Sequence, residues 1–271
     1  MIRKTLITLM VFSVALVFGS SAFAKKSDYE EGAVSGGGSI SGSVSLKGNP
    51  PPPIMEDLNK GKNVEFCTTH PDTKEGGIRP RTKVAAKGGK LSGTVVFIEE
   101  ISKGKAWDWK TMNFDFKTCD IFPKVGVVKK ASKEEKKAGG VAKITNQDPD
   151  ILHNPHGYSV VGANRKTLFN KPLPSKGDVA DVSNNLARFK EGKDLHFFLQ
   201  CDQHNYMEAD GRIVWNPYFA VTGDDGSFKI TDVPAGKYKV TAWHPYVGEV
   251  SSEVTVSGGA DAAQDFTLTA K

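Results

Sequence analysis

Sulfur and imidazole are scarce in this chain, which has three Cys, five Met and six His among 271 residues. A multicopper oxidase or a nitrite reductase would need several further His ligands for its additional metal centres, and six His in total argue against either. No Gly-rich phosphate loop, His-Glu-x-x-His, nucleophile elbow or Cys-x-x-Cys-His haem attachment occurs, so the chain is expected not to be an enzyme. Charge of one sign is also lacking: the formal net charge is +5, which gives no reason to expect a nucleic-acid partner. Past residue 18 no apolar run reaches membrane-spanning length, so no membrane insertion is expected of the mature chain.

The first residues, MIRKTLITLMVFSVALVFGSSAFA, have a basic start, an apolar run over 6–18 and a small-residue end at Ala22-Phe23-Ala24. These are the three parts of a secretory signal. Residues 1–24 are therefore expected to be removed, leaving a periplasmic or secreted protein with no Cys at the cut to carry a lipid. Loss of Arg3 and Lys4 lowers the charge from +5 to +3. An oxidising compartment favours disulfides, and three Cys is an odd number. Pairing Cys67 with Cys119 leaves Cys201 as a free thiolate; the other two pairings stay open on the residues alone.

Residues 25–37 are polar and Gly-rich and read as a flexible leader. Beyond them the pattern is strand-like. Ile40, Gly42, Val44 and Leu46 alternate with Ser41, Ser43 and Ser45 before a stop at GNPPPP. Short apolar runs follow at 94–98, 125–128, 158–161, 195–201, 228–230 and 238–243, each bounded by Gly, Pro or Asp. The expected fold is all-β, with two β-sandwiches. The charged stretch KKASKEEKKAGGVAK at 129–143 interrupts this as a solvated loop or a short helical turn.

Two resemblances divide the chain. AVTGDDGSFKITDVPAGKYKVTAWHPYVGEV, within 216–271, resembles the carboxypeptidase regulatory-like (prealbumin-like) domain, with turns at Asp224-Asp225-Gly226 and Val233-Pro234-Ala235-Gly236. The resemblance implies that the first strand is GSISGSVSLKGNPPPP, so this domain begins in 38–112, which also holds a connecting segment. Residues 113–215, with a lead strand over 116–128, the loop NQDPDILHNPHGY and the later CDQHNYM, resemble a cupredoxin of the amicyanin and plastocyanin kind. The implied arrangement is a Greek-key cupredoxin sandwich inserted in, or followed by, the prealbumin-like one. The strand near Val95 could belong to either.

Period-two alternation places Leu195, Phe197, Leu199 and Cys201 on one apolar face, which aims the thiol into the end of a core. Two imidazoles, one thiolate and a long axial Met suit a copper ion that changes by one electron. The cupredoxin resemblance implies His153, Cys201, His204 and Met207 as ligands of one copper ion. It further implies Asn154 as the tether between the two ligand loops and His204 at the exposed end, with a redox partner docking on an apolar rim near Tyr206 and Pro155. His156 is expected beside the site without binding, though it competes with His153 as ligand. Asp202 next to the thiolate, and Asn205 where Pro is usual, depart from the pattern.

The remaining His have plainer readings. His196 falls on the face opposite Cys201, exposed or at a domain contact, and His244 is expected at the seam between domains. Cys67-x-x-His70 has no matching pair for zinc. The expected function is an exported type 1 (blue) copper protein that carries one electron to an unknown redox protein. The alternatives are a copper delivery or storage protein, and a metal-free structural or interaction protein of the envelope.

Overall fold

The computed structural model describes residues 29–190 and 196–270. The expected signal, residues 1–24, lies outside them, as does Leu195. The described chain is nearly all β, arranged as two sandwiches of antiparallel and mixed sheets.

The first sandwich closes the two ends of the chain on each other. One sheet has the order Phe219–Val221, Val95–Ile98, Gly236–His244, Gly248–Val256. The other is built around Gly38–Lys47, which pairs antiparallel with Ser227–Val233 and parallel with Asp261–Ala263 and Phe266–Thr269. The alternation predicted along the first strand is real: Ile40, Val44 and Leu46 are buried among Phe228, Ile230, Val240 and Phe266. Gly42 keeps the rhythm without a side chain because the Gln264 carbonyl oxygen crosses it, 1.9 Å from where a Cβ would sit. The Val95 strand belongs here, paired with Gly236–His244.

The second sandwich is inserted between these strands. Its five-stranded sheet runs Val125–Lys129, Glu208–Val214, His196–Cys201, Pro155–Val161, Asn164–Asn170, and its four-stranded sheet runs Ile121–Phe122, Met112–Phe116, Ala142–Asn146, Val179–Asp181. The lead strand expected over 116–128 is broken into three. Thr118 and Cys119 both take left-handed backbone angles, φ 52° and 53°, which turn the chain out of one strand before the next begins. Both faces of His196–Cys201 are covered: Phe197, Leu199 and Cys201 face the core, while Phe198 lies under the Arg165 guanidinium at 4.0 Å. Within the charged stretch, Lys133–Ala138 forms a helix started by a Ser132–Glu135 capping box.

Two segments differ from expectation. The leader is not free over its described part: Glu30–Glu31 pairs with Lys103–Gly104, and Tyr29 donates to the Lys105 carbonyl. The connecting segment leaves its own sandwich and packs on the other. Ile54–Asp57 pairs with Ile78–Arg81, and between them lie a turn of 3-10 helix, Leu58–Lys60, and a short helix, Val64–Cys67. Leu58 and Cys67 are buried in the core of the inserted sandwich, and a disulfide joins Cys67 to Cys119. We call residues 54–81 the cap.

The sandwiches meet in an aromatic seam. Val95, Phe97, Val127, Val214 and Trp243 form a small core, and the Arg212 guanidinium lies 4.6 Å from the Phe97 ring and 5.3 Å from that of Trp243.

Candidate metal centre

Cys201 ends its strand, and the chain turns back at once. The Met207 amide donates to the His204 carbonyl at 2.9 Å, and the Cys201 amide to the Met207 carbonyl at 3.1 Å. This short return folds the backbone of His204 and Met207 back onto Cys201, and both side chains are buried. Across the sheet, Pro155 is paired with Cys201, which brings the 146–154 loop against the sulfur. Gly157 is needed in that strand because the Phe169 ring lies 2.3 Å from where its Cβ would be.

The donor atoms converge. His153 Nδ1 is 3.6 Å and His204 Nδ1 3.7 Å from Cys201 Sγ, and ligand atoms of the three residues all lie within 4.8 Å of one another. His153 and Cys201 are 0% exposed and His204 1%. Each imidazole is held by its far nitrogen. Nε2 of His153 meets Asp148 Oδ2 at 2.9 Å, and Nε2 of His204 meets Asn63 Oδ1 at 3.1 Å. A carboxylate or amide oxygen there accepts a proton-bearing Nε2, which leaves both Nδ1 lone pairs for a metal.

Asp148 does more than orient one ring. The same carboxylate accepts the amides of Thr118 and Cys119, the latter at 2.8 Å, so it ties a candidate ligand to the disulfide turn. Burial opposes its charge, yet His153 and those two amides outweigh burial and hold the Asp148 carboxyl below its usual range. Burial likewise pushes the Cys201 thiol up. The contacts from His153 and His204, with the Asn154 amide at 3.4 Å, overcome that and bring it down to about 6. Burial disfavours charge on His153, but Asp148 and Cys201 together raise its pKa.

The donor set fits a thiolate-loving ion of trigonal preference. Atoms about 2.1 Å from a common centre in a trigonal plane stand about 3.6 Å apart, the spacing seen on both sides of the sulfur. The dry surroundings exclude competing water.

The other expected site residues are placed as follows. His153, not His156, lies against Cys201. His156 instead pairs through Nδ1 with Asp202 at 3.1 Å, bonds Thr167 through Nε2, and stacks on Tyr158. Asn154 does tie the two loops, but with its backbone. Its amide meets the thiol and its carbonyl accepts the Asp202 amide, while its side-chain Oδ1 is buried without a partner. His204 is not at an exposed end. The cap lies over it, with Lys62 Nζ bonded to Gln203 at 2.6 Å and Asn63 to the ring itself. Tyr206 and Pro155 are buried too, Tyr206 beneath the Arg79 guanidinium at 4.9 Å, so neither presents an apolar face at the surface. His196 bonds Asp210 at 2.6 Å against the Trp243 ring. His70 and His244 both line a charged cavity of about 480 Å³ at the seam, with Arg79, Lys83 and Lys124.

Asn63 and Asp148 escaped the sequence reading. Asp148 sits inside the loop that carries His153, five residues before it, and that spacing was the available signal. Asn63 is 141 residues from His204 and had none.

The carboxypeptidase regulatory-like domain model matches residues 213–269. No curated protein matches the chain. Among solved structures, a Cu-containing nitrite reductase (NirK) from Thermus scotoductus SA-01 is similar at 17% identity with a TM-score of 0.26, over 41% of this chain and 24% of that one. The chain thus spans about a quarter of that protein's length, and so distant a likeness carries no argument about chemistry.

Proposed function

We propose that this is an exported copper protein that passes single electrons to and from a redox protein, through one type 1 site held by His153, Cys201, His204 and Met207. The observation that carries the reading is the pair of Nδ1 atoms at 3.6 and 3.7 Å from one buried thiol, each ring fixed from behind. Copper bound there supplies the one-electron couple. The chain's own contribution is rigidity: Asp148 and Asn63 hold the rings, and the return of Met207 onto Cys201 holds the sulfur. Ligands that do not move when the charge changes keep the barrier to electron transfer low. No catalytic turnover is part of this reading.

With the His204 ring covered by the cap, one short way from the ligands to the surface runs through Cys201. Asp202 follows it and pairs with His156, and the two side chains are 32% and 17% exposed. The test is the visible spectrum of the oxidised, copper-loaded protein. An intense thiolate-to-copper band that vanishes in Cys201→Ser supports the reading, and its absence from the parent protein rejects it. A delivery or storage protein would instead prefer Cu(I), exchange it with chelators and stay colourless.

A further inference from the structure

The Cys67–Cys119 disulfide lies against the candidate centre. Sγ of Cys67, Sγ of Cys119 and a ring nitrogen of His204 all lie within 4.8 Å of one another, and all three residues are buried. While the two sulfurs are bonded to each other they are poor ligands. Once the bond is broken they are two soft donors beside an imidazole in a dry place, a set that suits Cu(I). The same His204 ring is the point where the two donor groups meet.

The two sulfurs are held by different parts of the molecule. Cys119 is fixed by the body of the inserted sandwich, where its amide donates to Asp148, and from the cap Arg79 Nη1 donates to its carbonyl at 2.9 Å. Cys67 is carried by the four-residue helix of the cap, Val64–Cys67, whose polar ties to the metal loop are Asn63 to His204 and Lys62 to Gln203. Loss of the covalent link therefore leaves one thiol in place and lets the other settle around an ion with a small movement of the cap.

We propose that the disulfide-reduced protein has a second copper site, in which Cys67, Cys119 and His204 hold Cu(I). The choice of metal rests on the reading given above; two of the three ligands do not. The redox step is a thiol–disulfide exchange with an external dithiol, which gives two electrons and two protons and becomes a disulfide itself while the Cys67–Cys119 bond becomes two thiols. Binding Cu(I) then releases thiol protons to solvent, and the ion keeps its oxidation state. The oxidised cap encloses the Cys201 centre, whereas the reduced cap places two thiolates beside it. The chain thereby gains a route by which copper can enter or leave.

The experiment counts Cu(I) bound, in competition with bathocuproine disulfonate, before and after anaerobic treatment with a phosphine reductant that is then removed. Wild type should bind one equivalent with the disulfide intact; after reduction both sites draw on the one His204 ring, so the deciding protein is the one that lacks Cys201. Cys201→Ser, which lacks the first centre's sulfur, should bind none and then one. The double variant Cys67→Ser, Cys119→Ser should bind one under both conditions. If reduced Cys201→Ser takes up no more Cu(I) than its disulfide form, the second site does not exist. A reduced chain that loses its folded circular dichroism contradicts the proposal equally. The two readings fail separately: a colourless copper-loaded wild type sinks the electron carrier, while uptake of one equivalent by reduced Cys201→Ser stands without it.

Discussion

The two sandwiches bury different things. In the terminal one, strands such as Ser227–Val233 and Gly248–Val256 alternate between an apolar inner face and an exposed polar one, and the core is mostly Ile, Val, Leu and Phe, with the few buried amides and hydroxyls of Asn216, Thr222 and Thr241 bonded locally. In the inserted one, Asn146, Asp148, His153, His204 and Asp210 are buried along with the apolar residues. Buried polar groups cost free energy unless each is satisfied, so a network of them is retained at a place with work to do. The contrast teaches that the first sandwich is a frame, and that the second spends stability on a site.

Substitutions can break that contrast, and the largest effect is expected at Asp148. Asp148→Ala leaves two buried amides and the His153 ring without an acceptor, and should cost about 4 to 5 kcal/mol in urea denaturation of the metal-free protein. Asp225→Ala, on an exposed turn of the other sandwich where it bonds Ser227, should cost less than about 1 kcal/mol. Equal losses would erase the distinction. Next comes the disulfide, which closes a separation of 52 residues. Chain-entropy reasoning assigns it about 4 kcal/mol, so Cys67→Ser with Cys119→Ser should lower the urea midpoint by a corresponding amount and leave the chain folded.

The seam gives a pH dependence. Burial holds the pKa of His244 down at about 4, against 6.5 when exposed. The unfolded chain therefore binds a proton that the folded chain refuses, and stability falls as pH drops from about 6.5 to 4, by about 3 kcal/mol in all. Denaturation of His244→Gln should show that much less loss across the same window. The smallest change is at the cap. Asn63 holds left-handed angles, φ 54°, which Gly adopts freely, so Asn63→Gly removes the His204 contact without straining the turn. Metal affinity should drop about tenfold while the fold persists.

What could be read in advance follows the same division. Alternation marked the strands of the frame and aimed Cys201 inward, because a strand with one apolar face writes its orientation into every second residue. CDQHNYM brought three candidate ligands together because they are local. The cap could not be read: Asn63 reaches His204 through chain folding alone, and its segment shows no periodicity that assigns it to the inserted sandwich. Asp148 and Asp150 look alike in NQDPDILHNPHGY, yet one is buried on His153 and the other is exposed. The broken lead strand was hidden for a similar reason, since Thr118 and Cys119 carry no Gly or Pro to announce a left-handed turn.

The central claim is that His153, Cys201 and His204 form a copper centre able to pass one electron. Its most direct test is the visible spectrum of the purified protein, loaded with one equivalent of copper and oxidised. The account predicts an intense thiolate-to-copper band that bleaches on one-electron reduction and is missing from Cys201→Ser. A colourless wild-type protein under those conditions would contradict it.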